Sequence, residues 1–132
     1  MNQSLAGIIY EHGQFLVGKR IPGGDMGGRW EFPGGKLDGD EKPEETLVRE
    51  FSEEMGVTVR VGEFITSVPF SHHNGQAQLS AYRVFIPQTD SLTLTEHTDI
   101  AWRTLDEIEN LEFVDSDRLL LPALREWVKH AR

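Results

Sequence analysis

The chain has 132 residues, 38% hydrophobic and 27% charged, so it is long enough to bury a proper core as one domain spanning 1–132 and too apolar for intrinsic disorder. A net charge of −9 argues against a protein that grips long nucleic acid, which needs clustered Lys and Arg, yet leaves a small phosphorylated ligand compatible. The lack of cysteine excludes a disulfide framework, and with no basic-then-apolar leader and no membrane-length apolar run the expected location is the cytoplasm.

Leu5 to Tyr10 and Gln14 to Lys19 are apolar-rich runs separated by Glu11, His12 and Gly13, a pattern that predicts a β-hairpin. Residues 21–28 carry four glycines and a proline without periodicity and predict a loop, mobile over the site. Trp30 to Phe32 is expected as a short strand that stops at Pro33-Gly34-Gly35.

The next element is the informative one. Pro43 suits a first helical turn, where its missing N–H costs nothing, and Gly56 suits a left-handed helix end, so a helix is predicted over 43–55. At about 100° per residue, Glu50, Glu53 and Glu54 share one quadrant, while Leu47, Val48, Phe51 and Met55 form the adjacent apolar stripe. Such a carboxylate stripe costs a few tenths of a kcal/mol per close pair. Only Arg49 offsets it locally. Hard oxygen donors in this pattern suit Mg²⁺ or Mn²⁺, which bridge carboxylates to substrate phosphates. A bare acidic triplet is explained as well by a solvated helix face, so the surrounding pattern has to decide.

Further on, Val57 to Phe70 and Ala77 to Ile86 predict a second hairpin around a turn at Asn74-Gly75, with His72 and His73 exposed beside it. Ile100 to Arg103 reads as a strand, and Thr104 to Glu107 as a capping box for a helix reaching Asn110. Helical spacing at Leu120, Leu124, Trp127 and Val128 predicts a last helix within 116–131, with a kink or short turn at Pro122. This order of elements is that of an α+β fold.

The segment from Gly35 to Val57 resembles the Nudix box. Gly35, Glu41, Arg49, Glu50, Glu53, Glu54 and Gly56 each stand at that motif's fixed spacings. Seven specified residues at about 7% frequency each coincide by chance about once in 10⁸ starting positions, which removes the solvated-face reading. Phe51 replaces the usual aliphatic residue and Lys42 the common Ser or Thr cap, and neither is an implied ligand.

The resemblance implies a mixed β-sheet between helices, the α/β/α sandwich of that family. It implies divalent-metal chemistry, with Glu50, Glu53, Glu54 and the Gly34 carbonyl as metal ligands. Glu96 stands where related proteins carry a further ligand or base, and either it or Glu50 would orient or deprotonate the attacking water. Arg49 and Glu41 are expected to pair and fix the loop entering the helix. Arg20 matches a phosphate-contacting arginine. WEFPGGK, from Trp30 to Lys36, resembles the MutT and CTP pyrophosphohydrolase branch, which cleaves nucleoside triphosphates to monophosphate and pyrophosphate.

In that branch a residue near the start of the last helix reads the base. Asp117 aligns best with it, and Asp115 is the alternative. A carboxylate in place of an amide weakens the case for strict oxidised-guanine selectivity, because an ionised carboxylate only accepts hydrogen bonds. Phe32, Phe70 and Tyr82 are candidates for stacking on a base, and Ser4 and Ala6 for bordering its pocket. The implied partner is a small nucleotide, 8-oxo-dGTP or a (d)CTP-like triphosphate in a pool-cleaning role, bound by a monomer or homodimer. The alternatives are hydrolysis of ADP-ribose, a dinucleoside polyphosphate or an RNA 5′ end, or a non-catalytic nucleotide sensor.

Overall fold

A computed structural model describes residues 2–72, 75–87 and 92–132, without the side chain of His72. His73 and Asn74 of the predicted turn, and the side chain of His72, lie outside the described residues.

The first apolar run is not one strand. It divides between two sheets: β1 (Asn2–Ile8) lies in one, and β2 (Tyr10–Glu11) forms the hairpin with β3 (Gln14–Arg20) in the other. The second sheet continues from β3 to β4 (Trp30–Glu31) on one side and to β8 (His97–Arg103) on the other. The first sheet runs β5 (Gly34–Lys36), β1, β7 (Gly75–Phe85), β6 (Arg60–His72), and is mixed because β1 and β7 are parallel while the other pairs are antiparallel. The expected mixed sheet is therefore present, accompanied by a second, antiparallel one.

Leu5, Ala6, Ile8 and Ile9 are all buried because β1 is covered on both faces, which gives a continuous apolar run in place of alternation. Leu5, Ile9 and Leu16 face one core with Leu47, Phe51 and Met55 from the apolar stripe of helix α1 (Pro43–Met55), whose expected fourth member, Val48, is exposed instead. Ala6 and Ile8 face the other core, closed by α2 (Leu105–Glu109), α3 (Asp115–Arg118) and α4 (Leu121–Trp127). Helices thus lie on both sides of the sheets.

Four boundaries differ from expectation, each for a tertiary reason. β4 ends before Pro33 as expected, but Gly34 and Gly35 open a further strand, β5, where Gly34 pairs with Ala6 and Gly35 with Leu5. Edge strands tolerate such glycines, and their backbone groups are held from outside, as by the Gly7 N–H to Pro33 O bond of 2.7 Å. β8 begins at His97, ahead of the expected Ile100, since pairing with β3 recruits polar Thr98 and Asp99. β6 starts at Arg60 and passes through two register shifts. The last helix is interrupted as expected, with α3 and α4 separate and Pro122 in the first turn of α4 where no N–H is needed, but α4 ends at Trp127, short of the expected residue 131.

Helix α1 begins and ends as predicted. Glu45 Oε1 accepts from the Lys42 N–H at 2.8 Å, half of a capping box despite the lysine. Gly56 closes the helix with φ 64°, a left-handed conformation that disfavours any side chain. No helix among the described residues is long and apolar enough to cross a membrane.

Candidate active site

Nine of the residues singled out as catalytic, metal-binding or substrate-binding line one pocket of about 500 Å³. Glu50, Glu53, Glu54, Glu96 and Gly34 stand with Arg20, Phe32, Phe70 and Asp117, although they come from segments spread over most of the chain. A volume of this order suits a nucleotide-sized ligand.

One end of the pocket is acidic. Glu54 is only 6% exposed, and burial first, then Glu50 beside it and the charges of Glu31 and Glu96, push its carboxyl well above the usual range. Glu53 and Glu54 also occupy the last turn of α1, at the negative end of the helix dipole, and no basic residue accompanies them there. The orphan carbonyls of that turn are met by the 93–95 segment. Thr93 N–H donates to Met55 O and Thr95 N–H to Glu54 O, both at 3.0 Å, while Thr95 Oγ1 donates to Glu53 O at 2.9 Å. Those bonds set Glu96 against the acidic stripe.

Arg49 organises the same end. Its Nε and Nη2 donate to the two Glu41 oxygens at 2.8 and 2.9 Å, a bidentate pair, and Nη1 reaches Glu50 at 2.8 Å and Glu53 at 3.0 Å. Thr46 Oγ1 donates to Glu41 at 2.9 Å. Arg49 and Thr46 together hold the Glu41 carboxyl down at about 2, with Arg49 the larger cause. The expected Glu41–Arg49 pair is present, and Arg49 reaches Glu50 and Glu53 as well. A Cβ on Gly35 would stand 2.4 Å from the Glu50 carboxyl carbon, so what this glycine supplies is space for Glu50.

Glu50, Glu31 and Glu96 are close enough to raise the pKa of Glu54, while Arg49 is already divided among Glu41, Glu50 and Glu53. That surplus of hard, anionic oxygen at a pocket wall fits a divalent cation. Among the described residues no three His, Asp or Glu groups are gathered as ligands around a point, because Glu50 and Glu53 are turned to Arg49. Holding an ion therefore requires these two carboxylates to share or release the guanidinium.

The other end of the pocket is formed by Phe70, Ser116, Val114 and Asp117. The 112–114 segment runs beside β4, with Trp30 N–H donating to Glu112 O and Val114 N–H to Trp30 O, both at 2.8 Å. This pairing delivers α3 to Phe32, whose N–H donates to Asp117 Oδ2 at 2.9 Å. Burial, and then the charge of Glu31, push the Asp117 carboxyl up to about 7 against the opposing hydrogen bonds from Phe32 and Ser116.

Five expectations differ from what the structure places around the pocket. The Phe32 ring is 3% exposed and packs edge-on against Phe15 and Phe113, so Phe32 meets the pocket mainly through the N–H that holds Asp117. Tyr82 belongs to the opposite core and packs against Phe64, away from the pocket. Ser4 lines the pocket, whereas Ala6 is buried in the core. None of residues 21–28 lines the pocket either; their loop is closed at its base by Arg20 N–H to Arg29 O at 2.8 Å. Asp115 pairs with Arg29 at 3.1 Å and is not a lining residue.

Glu31 is the residue that sequence reasoning missed. It lines the pocket, accepts from Arg20 Nη1 at 3.1 Å and faces His97 Nε2 at 2.9 Å. The available signal was a charged residue between two aromatics in a strand next to the glycines.

The NUDIX domain model matches residues 2–127. The chain is 33% identical over 124 residues to the CTP pyrophosphohydrolase of Escherichia coli strain K12, covering 93% of this chain and 90% of that protein. It is 38% identical over 80 residues to the 8-oxo-dGTP diphosphatase of Proteus vulgaris, covering 60% of this chain and 71% of that protein. The solution structure of the E. coli ORF135 protein superposes with a TM-score of 0.83 at 32% identity, over 100% of this chain and 93% of that one. The chain belongs to the NUDIX domain family, the hydrolase family that its acidic helix resembles. Family members generally depend on a divalent metal.

Proposed function

We propose that this protein hydrolyses nucleoside triphosphates, adding water across a phosphoanhydride bond to release a nucleoside monophosphate and pyrophosphate, in the manner of nucleotide-pool sanitation. The observation that carries this reading is the polarity of this pocket. The acidic stripe lies at one end and the buried Asp117 with Phe70 at the other, separated within about 500 Å³. A triphosphate with an attached nucleoside has the same two-ended chemistry. The relatives' names support the choice, CTP pyrophosphohydrolase and 8-oxo-dGTP diphosphatase being triphosphate-cleaving activities of those proteins.

Glu50, Glu53, Glu54, Glu96 and the Gly34 carbonyl would hold Mg²⁺, with Mn²⁺ as the substitute. When bound, the ion supplies charge neutralisation at the phosphates and lowers the pKa of a water. Glu50 or Glu96 accepts the proton of the attacking water or orients it, Glu96 from the rim and Glu50 from beside Gly35. Arg20, at the pocket edge, meets the phosphate charge that the ion leaves unbalanced. Phe70 offers an aromatic face to the base, and Asp117 reads its hydrogen-bonding edge. The protein acts as a monomer or a homodimer on free nucleotides in the cytoplasm, without long nucleic acid.

The test is a Mg²⁺-dependent turnover screen across dCTP, CTP, 5-methyl-dCTP, 8-oxo-dGTP, dGTP, ADP-ribose and a dinucleoside polyphosphate, with products separated by chromatography. Monophosphate plus pyrophosphate from one or two triphosphates is the expected result. Cleavage of only ADP-ribose or the dinucleotide would overturn the substrate assignment, and no turnover of any compound would leave a nucleotide sensor.

A further inference from the structure

His97 contributes no atom to the pocket lining, yet its side chain is completely buried and its Nε2 lies 2.9 Å from Glu31 Oε2. It stands on β8, while Glu31 stands on β4, and β3 runs between them. The ring bridges that gap by lying over Gly18, which pairs with Glu31 across β3–β4. A Cβ at position 18 would stand 2.6 Å from the His97 ring. The β3–β8 register shifts between Lys19 and Arg20, and Arg20, now paired with His97, sends Nη1 to the other Glu31 oxygen at 3.1 Å. The carboxylate is therefore clamped at both oxygens from two strands. Nδ1 of His97 is buried without a partner among the described residues, so the ring's one polar contact is Glu31.

We propose that His97 is a positioning residue for substrate recognition. Its Nε2–H fixes the Glu31 carboxylate in the pocket wall, and Glu31 in turn holds Arg20 at the pocket edge. The location of Glu31 gives the clamp its consequence, since its charge is felt both at Glu54 in the acidic end and at Asp117 in the nucleoside end. A carboxylate at that point is useful only if its orientation is fixed, because a small rotation would move negative charge toward the phosphates or release Arg20 from the edge. A histidine kept merely to fill volume would not leave one ring nitrogen unsatisfied while the other meets a pocket carboxylate. The inference rests on the triphosphate-hydrolase reading of the same pocket.

The experiment compares KM and kcat of wild type with His97→Met, Gly18→Ala, His97→Gln, Glu31→Gln and the Glu31→Gln/His97→Met double variant, on the triphosphate that wild type turns over best. Thermal melts confirm folding, and Gly18→Ala displaces the ring without altering its chemistry. Loss of one charge-assisted contact predicts that His97→Met and Gly18→Ala each raise KM about tenfold with kcat within about threefold of wild type. His97→Gln places an amide N–H near the Nε2 position and keeps KM within about threefold. In the double variant His97→Met adds nothing to the Glu31→Gln effect, as expected when one residue acts through the other. Nitrogen-15 NMR of the ligand-free protein supplies an arm independent of catalysis: the Nε2–H resonance of His97 is present in wild type and shifted in Glu31→Gln. An active wild type with unchanged KM in His97→Met, or effects of His97 and Glu31 that multiply, would overturn the positioning role alone. A wild type inactive on every triphosphate would overturn the parent reading, and an Nε2–H signal indifferent to Glu31→Gln would overturn the clamp whatever the substrate.

Discussion

The two ends of the pocket are built in opposite ways. The acidic end comes from consecutive turns of α1, where helical geometry alone puts Glu50, Glu53 and Glu54 on one stripe, with Arg49 and Glu41 closing the loop before it. The other end is assembled from Phe32 after β4, Phe70 on β6 and Asp117 on α3, and the hydrogen bond that fixes it joins residues 85 apart. One end is thus written in local sequence and the other in long-range pairing. An end that depends on a single local helix can keep its chemistry while the distant end changes, because no residue of the acidic stripe contributes to the contact that holds Asp117.

The largest expected effect tests that separation directly. Glu54→Gln should lower kcat by about 10²-fold or more on every triphosphate alike. Its melting temperature without added metal should be unchanged or raised, since a neutral amide occupies the buried position without the proton uptake that folding demands of Glu54. Steady-state kinetics and a thermal melt check both halves, and wild-type turnover would end the catalytic assignment of the stripe.

Asp117→Ala should do the reverse. Ratios of kcat/KM among bases should shift by about tenfold, with a smaller change in kcat on the best substrate, as expected from losing one specific hydrogen-bonding partner. A base preference identical to wild type would show that Asp117 does not read the base.

A thermodynamic measurement sharpens the contrast further. Folded Asp117 keeps its proton up to about pH 7, whereas in the unfolded chain it releases it near pH 4. Unfolding between those values sheds a proton, so this group's contribution makes stability fall as pH rises from about 4 to 7 and level off above. Asp117→Asn, neutral throughout, lacks that slope. Urea unfolding of the two proteins across this range should show the variant gaining on the order of 2 to 4 kcal/mol relative to wild type. A constant difference would mean that Asp117 is ionised throughout.

The smallest effect belongs to the loop before the acidic helix. Glu41→Gln breaks a half-exposed pair and should lower the melting temperature by no more than about 3 °C, with the difference shrinking in high salt. A salt-independent loss would place the role of Glu41 in the pocket and not in the loop.

How much was legible follows the same division. The bounds of α1, its cap at Gly56, the acidic stripe and the Glu41–Arg49 pair are local consequences of spacing, and each stands where the sequence predicts it. The split of Leu5–Tyr10 between two sheets was not legible, because a continuous apolar run signals burial on both faces without saying which strand lies alongside. The same holds for Gly34–Lys36, whose strand character comes from β1 and not from its own glycine-rich residues. Tyr82 was weighed for the pocket because an aromatic in a strand signals burial but not on which face.

By itself, then, the sequence determined the family, the metal-binding kind of chemistry implied by its carboxylates, and the helix that carries them, since all three rest on residue spacings within one continuous segment, Gly35 to Val57. Only the tertiary structure decided that Glu31 enters the pocket, that His97 reaches it over Gly18, and that Asp117 is buried against the Phe32 N–H. Those depend on which strands pair and in which register, and a register is chosen by the packing of both cores together and not by any segment alone.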